Sequence, residues 1–343
     1  MPQDNPLRKI LNEVEDYEET VIAIIAFSHE VCWDSGNKRK IPSSCFMIGR
    51  RMGKIDPAEN SEHNLTPDIV IQLNSGYGII AEVKKKISSD RKYWHRTFDQ
   101  IKKYDENLIG WLTNSETIKN YDLTLLTHIT RKVDITDYYK GKFNEGGYHY
   151  RNKFSIVAFN KGGERDEFLY LEKHYGEFSD QILNERLRRV VAIPLETVLP
   201  LYSIKFYDSP PPMPYLINIL WIDIFPQFLS FEADNSDLKK CPIIKLNVAE
   251  VTEKLRSQFS QRIDDTRQQE IPRQDWIKEA MEALVRLKLA RRHTDGANVY
   301  EVDFKPVRNP IDYFAKKIKK SKGKNISVDE RQMKLLKSEK HEG

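Results

Sequence analysis

Residues 66–86, TPDIVIQLNSGYGIIAEVKKK, constrain the fold more than any other part of this 343-residue chain. Asp68-Ile-Val-Ile-Gln-Leu and Ile79-Ile-Ala-Glu-Val-Lys84 are short β-branched runs. Asn74-Ser-Gly-Tyr-Gly78 between them is rich in turn formers, so a hairpin is expected. With Leu73 facing Gly78 across the turn, Asp68 falls opposite residues 82 to 84. Side chains alternate faces along a strand, so Glu82 and Lys84 project one way and Val83 the other. Asp68, Glu82 and Lys84 are therefore expected to meet on one patch at the end of the hairpin.

Two carboxylates one strand apart suit a hard divalent cation such as Mg²⁺ or Mn²⁺, which favours oxygen ligands. A cation there polarises a phosphate and acidifies a bound water. Lys84 adds positive charge beside the scissile phosphate and can orient or help deprotonate the attacking water. The competing reading is plain: a lysine-rich strand end is commonly a solvated sheet edge.

A second pattern follows. Ser88-Ser-Asp90 supplies capping residues for a helix running to about Asn107, with Trp94, Phe98 (or Thr97), Ile101, Tyr104 and Leu108 as its apolar stripe. Gln100 and Tyr104 are four apart and share a face. They are either a surface amide and a core ring, or a pair lining the site that Lys84 begins. Pro67-Asp68 with Glu82-Val83-Lys84, and Gln-x-x-x-Tyr after them, resembles the PD-(D/E)XK (restriction-endonuclease-like) nuclease superfamily, in its QxxxY RecB-like branch. The resemblance covers residues 12 to 130. It implies Asp68 and Glu82 as metal ligands, the Val83 carbonyl as a third, Lys84 as the catalytic lysine, and Gln100 and Tyr104 as nucleic-acid contacts. Such nucleases often add a metal-binding glutamate on the first helix. Glu18, Glu19 and Glu30 are candidates, and Glu18 precedes Val21, Ile22 and Ile25 on one face. An acid favoured by the helix dipole explains Glu18 equally well. The tandem Lys84-Lys85-Lys86 leaves the choice of lysine to the face shared with Glu82.

Hydrophobic content of 39% with 31% charged residues describes a globular chain long enough for two or three domains. The net charge of +4 is mild, but lysines gather at 84–86, 102–103 and 316–324. Three cysteines without CxxC spacing imply neither a disulfide framework nor a zinc site, and point to a reducing, cytoplasmic compartment. The start of the chain is polar, not a signal peptide, and the most apolar run, residues 215–229, is short and carries Asp223 and Pro226, so no membrane span is expected. That run reads as a buried strand after the rigid break at 209–214.

The order helix (12–32), strand (45–48), hairpin, helix, strand (122–127) suggests an α/β fold with a restriction-endonuclease-like core, a mixed sheet flanked by helices, over 1–135. Arg50, Arg51, Lys54 and Lys38-Arg-Lys40 can face phosphates or solvent. Residues 136–240 carry a second hairpin (154–159 with 167–171) and a helix (179–190), as an α/β elaboration or second domain in which no chemistry is legible. His149 and His174 read as ordinary histidines. Helices over 248–259 and 273–286 and a hairpin around residues 294–298 resemble a winged helix over 241–305. Arg286, Lys288, Arg291 and Arg292 are its candidate DNA contacts. Residues 306–343 read as a basic flexible tail that raises affinity for polyanions.

No phosphate loop, GxGxxG, GxSxG or HExxH is present. Any ATPase or recognition subunit would be a separate chain, and two-strand cutting would favour a homodimer. The expectation is a Mg²⁺-dependent DNA endonuclease of a restriction, phage-defence or repair system. The rival is a non-catalytic DNA-binding or regulatory protein acting through the winged helix.

Overall fold

The computed structural model describes residues 6–34, 39–41, 44–56, 61–73, 76–85, 91–106, 108–111, 118, 120–146, 149–229, 242–259, 271–294, 296, 298–305 and 307–320. They form two compact units: Glu18–Ser209 with Phe259–Ile271, and Met1–Tyr17 with Pro210–Gln258 and Pro272–Gly343. Helix α1 (Pro6–Cys32) contributes to both. Its part in the first unit is buried along Val21, Ala23, Ile24, Ile25, Ala26 and Phe27.

In that unit two short strands, β1 (Trp33–Asp34) and β2 (Arg39–Lys40), pair after α1. β3 (Cys45–Ile48) follows, then β4 (Met52–Asp56) and β5 (Ser61–Leu65), which form a small side sheet. The expected hairpin forms from β6 (Ile69–Leu73) and β7 (Tyr77–Lys84), but its register is one residue off the expected one, with Leu73 paired to Tyr77 rather than Gly78, and Ile69 to Ala81. Continuing that register sets Asp68 opposite Glu82. Asn74 and Ser75 lie outside the described residues, as do Ser88, Ser89 and Asp90 expected to cap the next helix. That helix, α2 (Arg91–Tyr104), leads through β8 (Leu108–Ile109) on the side sheet to β9 (Asn120–His128). Next come α3 (Lys132–Gly146), β10 (Phe154–Gly162), β11 (Phe168–Gly176), α4 (Gln181–Leu187), β12 (Val191–Pro194) and α5 (Leu195–Val198).

The main sheet has seven strands in the order β12-β11-β10-β9-β7-β6-β3. β7, β9 and β10 are parallel to their neighbours in that trio, joined by α2 and α3 as crossover helices; the remaining pairings are antiparallel. The chain is thus α/β, with a mixed sheet flanked by helices. One sheet face, with Val70, Ile80, Leu123, Leu125 and Ile156, packs on Phe98, Ile101 and Tyr104 of α2 and Ile135 and Tyr139 of α3. On the opposite face Ile69, Ile71, Ile79, Val83, Leu126 and Phe159 are also buried. Burial on both faces is what central parallel strands require, and explains their near-continuous apolar runs.

Two expectations change here. The boundary near residue 135 falls inside this sheet: the 154–171 hairpin forms β10 and β11, which hydrogen-bond onto β9 and continue it. Arg50 does not face phosphates. It is 8% exposed, and its guanidinium donates to the carbonyls of Gly110 (2.9 Å) and Trp111 (3.4 Å).

In the second unit the run read as a strand is helical. α6 (Met213–Ile219) continues as a π turn over Leu220–Ile224 and a 3-10 turn over Phe225–Phe228. Pro214 sits in the first turn, where its missing N–H costs nothing, so the proline cluster starts a helix rather than breaking a chain. Leu216, Ile217, Leu220, Trp221 and Ile224 are buried, and such a continuous apolar run fits a buried helix as well as a strand. β13 (Ile243–Asn247), α7 (Val248–Phe259), α8 (Gln274–Arg286), β14 (Ala290–Arg292) and β15 (Val299–Asp303) follow, with the three strands antiparallel in the order β13-β15-β14. The tail is ordered in part: residues 310–320 are helical, and Phe314 is buried with its ring 5.1 Å from that of Trp221. Residues beyond 320 lie outside the description. No helix among the described residues is long and apolar enough to cross a membrane.

Candidate functional site

Asp68, Glu82 and Lys84 converge where β6 and β7 end, on the face that α2 covers. Lys84 Nζ lies 2.9 Å from Glu82 Oε2 and 4.0 Å from Asp68 Oδ2. The apolar stripe Val70–Ile80 stops one position short, so the carboxylates sit at the mouth of the core. Glu82 has no exposed side-chain surface and Asp68 only 11%, whereas Lys84 keeps 29% and marks the open side. Asp68 Oδ2 accepts the Val83 N–H at 2.8 Å. The tie holds the aspartate across the hairpin from its partner acid.

Tyr104 and Gln100 reach this cluster, as their spacing suggested. The Tyr104 hydroxyl donates to Glu82 Oε1 at 2.5 Å, and the Gln100 amide donates to the Tyr104 oxygen at 3.2 Å. Glu82 is therefore held from both sides, by a phenol and by an ammonium.

Electrostatics fit the geometry. Burial pushes the Asp68 carboxyl well above its ordinary range, and the charge of Glu82 adds to this; Lys84 and the Val83 N–H oppose it. For Lys84, burial favours the neutral amine, but Glu82 and Asp68 outweigh it and hold the ammonium above its ordinary range. A lysine kept protonated is a charge and a donor. The Tyr104 phenol is likewise pushed upward, by burial and by Glu82, and stays a donor.

Glu18 is half-buried, as is Glu19, one position or about 100° further round α1. The Glu19 carboxylate pairs with Lys85, lies 3.5 Å from His128 Nε2 and accepts the Lys161 N–H at 3.3 Å. Burial resists ionisation there, but His128 and Lys85 bring the Glu19 carboxyl down to about 2. Lys85 is thus committed to Glu19, which leaves Lys84 as the lysine of the carboxylate pair; Lys86 lies outside the described residues.

One neighbour was missed. Residues 136–240 offered no legible chemistry, yet Tyr207 stands beside the site. Burial and the charge of Asp68 push its phenol up, while Ser209, Lys84 and Thr20 act the other way. Gly49 (φ +60) donates to the Asp68 carbonyl at 3.0 Å, and a Cβ there would collide with the Ile271 side chain first and stand 3.1 Å from Asp208 Cβ. No local pattern in the sequence signals a contact 139 residues from Asp68.

Among the described residues no group of three or more His, Cys, Asp or Glu side chains is placed to hold a metal. The available donors are two carboxylates. That set suits Mg²⁺, which commonly binds through one or two carboxylates and completes its shell with water and substrate phosphate. In the second unit, Arg292 makes a two-pronged contact with Glu282 (2.7 and 3.0 Å), Arg291 pairs with Glu301, and Arg286 and Lys288 are exposed. Comparison with protein-family models, curated proteins and solved structures gave no match.

Proposed function

We propose that this chain is a divalent-metal-dependent nuclease that hydrolyses phosphodiester bonds, with DNA as its substrate and internal cutting as its mode. The observation that carries the reading is the meeting of Asp68, Glu82 and Lys84 around a single 2.9 Å ion pair at the ends of two interior strands of a mixed sheet. Asp68 and Glu82 would hold Mg²⁺ or Mn²⁺, with the Val83 carbonyl as a third oxygen donor. A cation bound there supplies Lewis-acid polarisation of the phosphate and a more acidic water.

The protein's own groups do the rest. Lys84, kept as an ammonium and open to solvent, places positive charge where a phosphorane-like transition state gathers negative charge. Tyr104 fixes Glu82, Gln100 fixes Tyr104, and the Val83 N–H fixes Asp68, so neither acid has to reorganise when substrate arrives. The β13-α7-α8-β14-β15 order and its three-stranded sheet support a winged-helix-like reading of the second unit, as a nucleic-acid-binding module. The pairing of Arg291 and Arg292 with Glu301 and Glu282 weakens the rival view that this module alone carries the function.

The test is incubation of supercoiled plasmid, linear duplex and single strands with the protein and Mg²⁺, beside Asp68→Ala and Lys84→Ala variants. Cleavage by the parent, abolished in both variants at unchanged circular dichroism, is the expected result. A parent inactive on every DNA and RNA with Mg²⁺ or Mn²⁺ would sink the proposal.

A further inference from the structure

Helix α2 carries five cations (Arg91, Lys92, Arg96, Lys102, Lys103) against one acid, Asp99, a surplus equal to the +4 of the whole chain. These charges are arranged. Lys92, Arg96, Asp99 and Lys103 recur at i, i+4, i+7 and i+11 and form one row on the helix surface. Tyr93, Thr97, Gln100 and Tyr104 recur at the same spacing and form the adjacent row. The second row begins at the carboxylates, where Tyr104 donates to Glu82 and Gln100 donates to Tyr104. It runs past buried Thr97, whose hydroxyl donates to the Tyr93 carbonyl at 3.0 Å. It ends at Tyr93, an aromatic ring left 51% exposed, with the Arg96 guanidinium 5.6 Å from its centroid.

An exposed ring beside a guanidinium, next to a row of three cations and one acid, is the chemistry that stacks a base and tracks a phosphate backbone. Eleven residues of α-helix separate Tyr93 from Tyr104 by ~16 Å. That is about five nucleotides of a stacked strand at ~3.4 Å each, and fewer of an extended one. In a duplex the bases are paired and covered, so a ring on a helix surface has no base face to meet. Resting on the nuclease reading, we infer that α2 is the binding track for an unpaired nucleic-acid strand leaving the site, with Tyr93 and Arg96 as its stacking platform. The substrate is then a single strand, or a duplex with an unpaired flank beside the scissile bond.

The test is fluorescence anisotropy with the full chain in EDTA, where no metal-dependent cleavage occurs. The probes are a labelled oligothymidylate, the oligouridylate of equal length and a blunt duplex, each titrated with the parent, Tyr93→Ala, Tyr93→Phe and Arg96→Ala. Tyr93→Ala is expected to weaken single-strand binding by roughly 5- to 150-fold, the range for loss of one stacked base. Tyr93→Phe should keep the affinity within about twofold, since the stacking face remains. Arg96→Ala should weaken binding and lower the salt slope by about one. Duplex affinity should not change with Tyr93, and the strand, DNA or RNA, on which the Tyr93 effect is larger identifies the substrate. Equal single-strand binding by parent and Tyr93→Ala overturns the inference, as does an equal loss on single strand and duplex. Because the assay needs no turnover, a parent that cuts nothing but shows the Tyr93 effect removes only the nuclease reading. Cleavage without a Tyr93 effect removes only this one.

Discussion

Replacing Lys84 with Met tests the charge balance of the site directly. The substitution keeps the length of the side chain and removes the cation 2.9 Å from Glu82 and 4.0 Å from Asp68. Removing one partner of a buried ion pair costs about 3–5 kcal/mol, and the partial hydration of the Lys84 ammonium places this case near ~3 kcal/mol. Protonation limits the loss. The Asp68 carboxyl is already held above its ordinary range, by burial first and then by Glu82, so the folded state keeps a proton that the unfolded chain releases near 3.8. Stability carried by that proton is full below 3.8 and declines as pH rises through the folded value. Without Lys84 the decline should steepen, so Lys84→Met and parent should differ little at pH 4 and by the full amount at pH 8. Asp68→Asn in the Lys84→Met background removes the like-charge repulsion and should restore about 2 kcal/mol, a coupling typical of groups in contact. Mg²⁺ at 100 times its dissociation constant should restore about 2.7 kcal/mol to Lys84→Met but not to the double variant. Two units need not unfold together, so the readout is hydrogen exchange on peptides covering β6 and β7, which follows this sheet alone. Protection in Lys84→Met equal to the parent at pH 8, or a loss of protection that does not depend on pH, refutes the reasoning.

Three shorter predictions follow from other contacts. Tyr104→Phe removes the 2.5 Å donor to Glu82 and should cost about 1.5–3 kcal/mol, with a fall in turnover larger than any change in KM; unchanged exchange and turnover would show that the phenol holds nothing. Glu19, brought down to about 2 against its burial by His128 and Lys85, lends stability above its ordinary value of 4.5 that is lost as pH falls towards 2. Glu19→Gln should flatten that acid limb by on the order of 1–2 kcal/mol, allowing for screening by solvent, as read by acid titration of circular dichroism. Glu282→Gln should release Arg292 and strengthen duplex binding with a steeper salt dependence; weaker binding would count against a nucleic-acid role for the second unit.

How far the sequence revealed the site depended on chain distance. Asp68, Glu82 and Lys84 lie within 17 residues of one hairpin, so strand alternation puts Glu82 and Lys84 on one face, while the register, Leu73 to Tyr77 rather than Gly78, brings Asp68 opposite Glu82. Gln100 and Tyr104 were readable because the 3.6-residue period fixes which positions of α2 share a face. Where the period is loose, one residue decides: Glu18 and Glu19 differ by about 100° around α1, and both precede apolar positions. The run after Met213 is helical rather than extended, a difference its residues leave open because a short, largely apolar run fits a buried helix as well as a strand. Tyr207 left no local trace at all, because 139 residues separate it from Asp68.

The pairing of the two acids bears on why the site exists in this form. Strand ends selected for stability alone would set apolar residues opposite each other at positions 68 and 82, since buried ionic clusters seldom outdo well-packed hydrophobic ones. This chain instead buries two acids against each other, supplies one lysine between them, and spends a tyrosine and a backbone N–H on holding them in place. Asp68 answers the remaining imbalance by keeping a proton to higher pH than an isolated aspartate does. A site left short of positive charge, open on one side through Lys84, and rigid before anything binds is poorly explained as a fold element. It is well explained if a divalent cation completes the charge and the solvent-facing ammonium meets the phosphate.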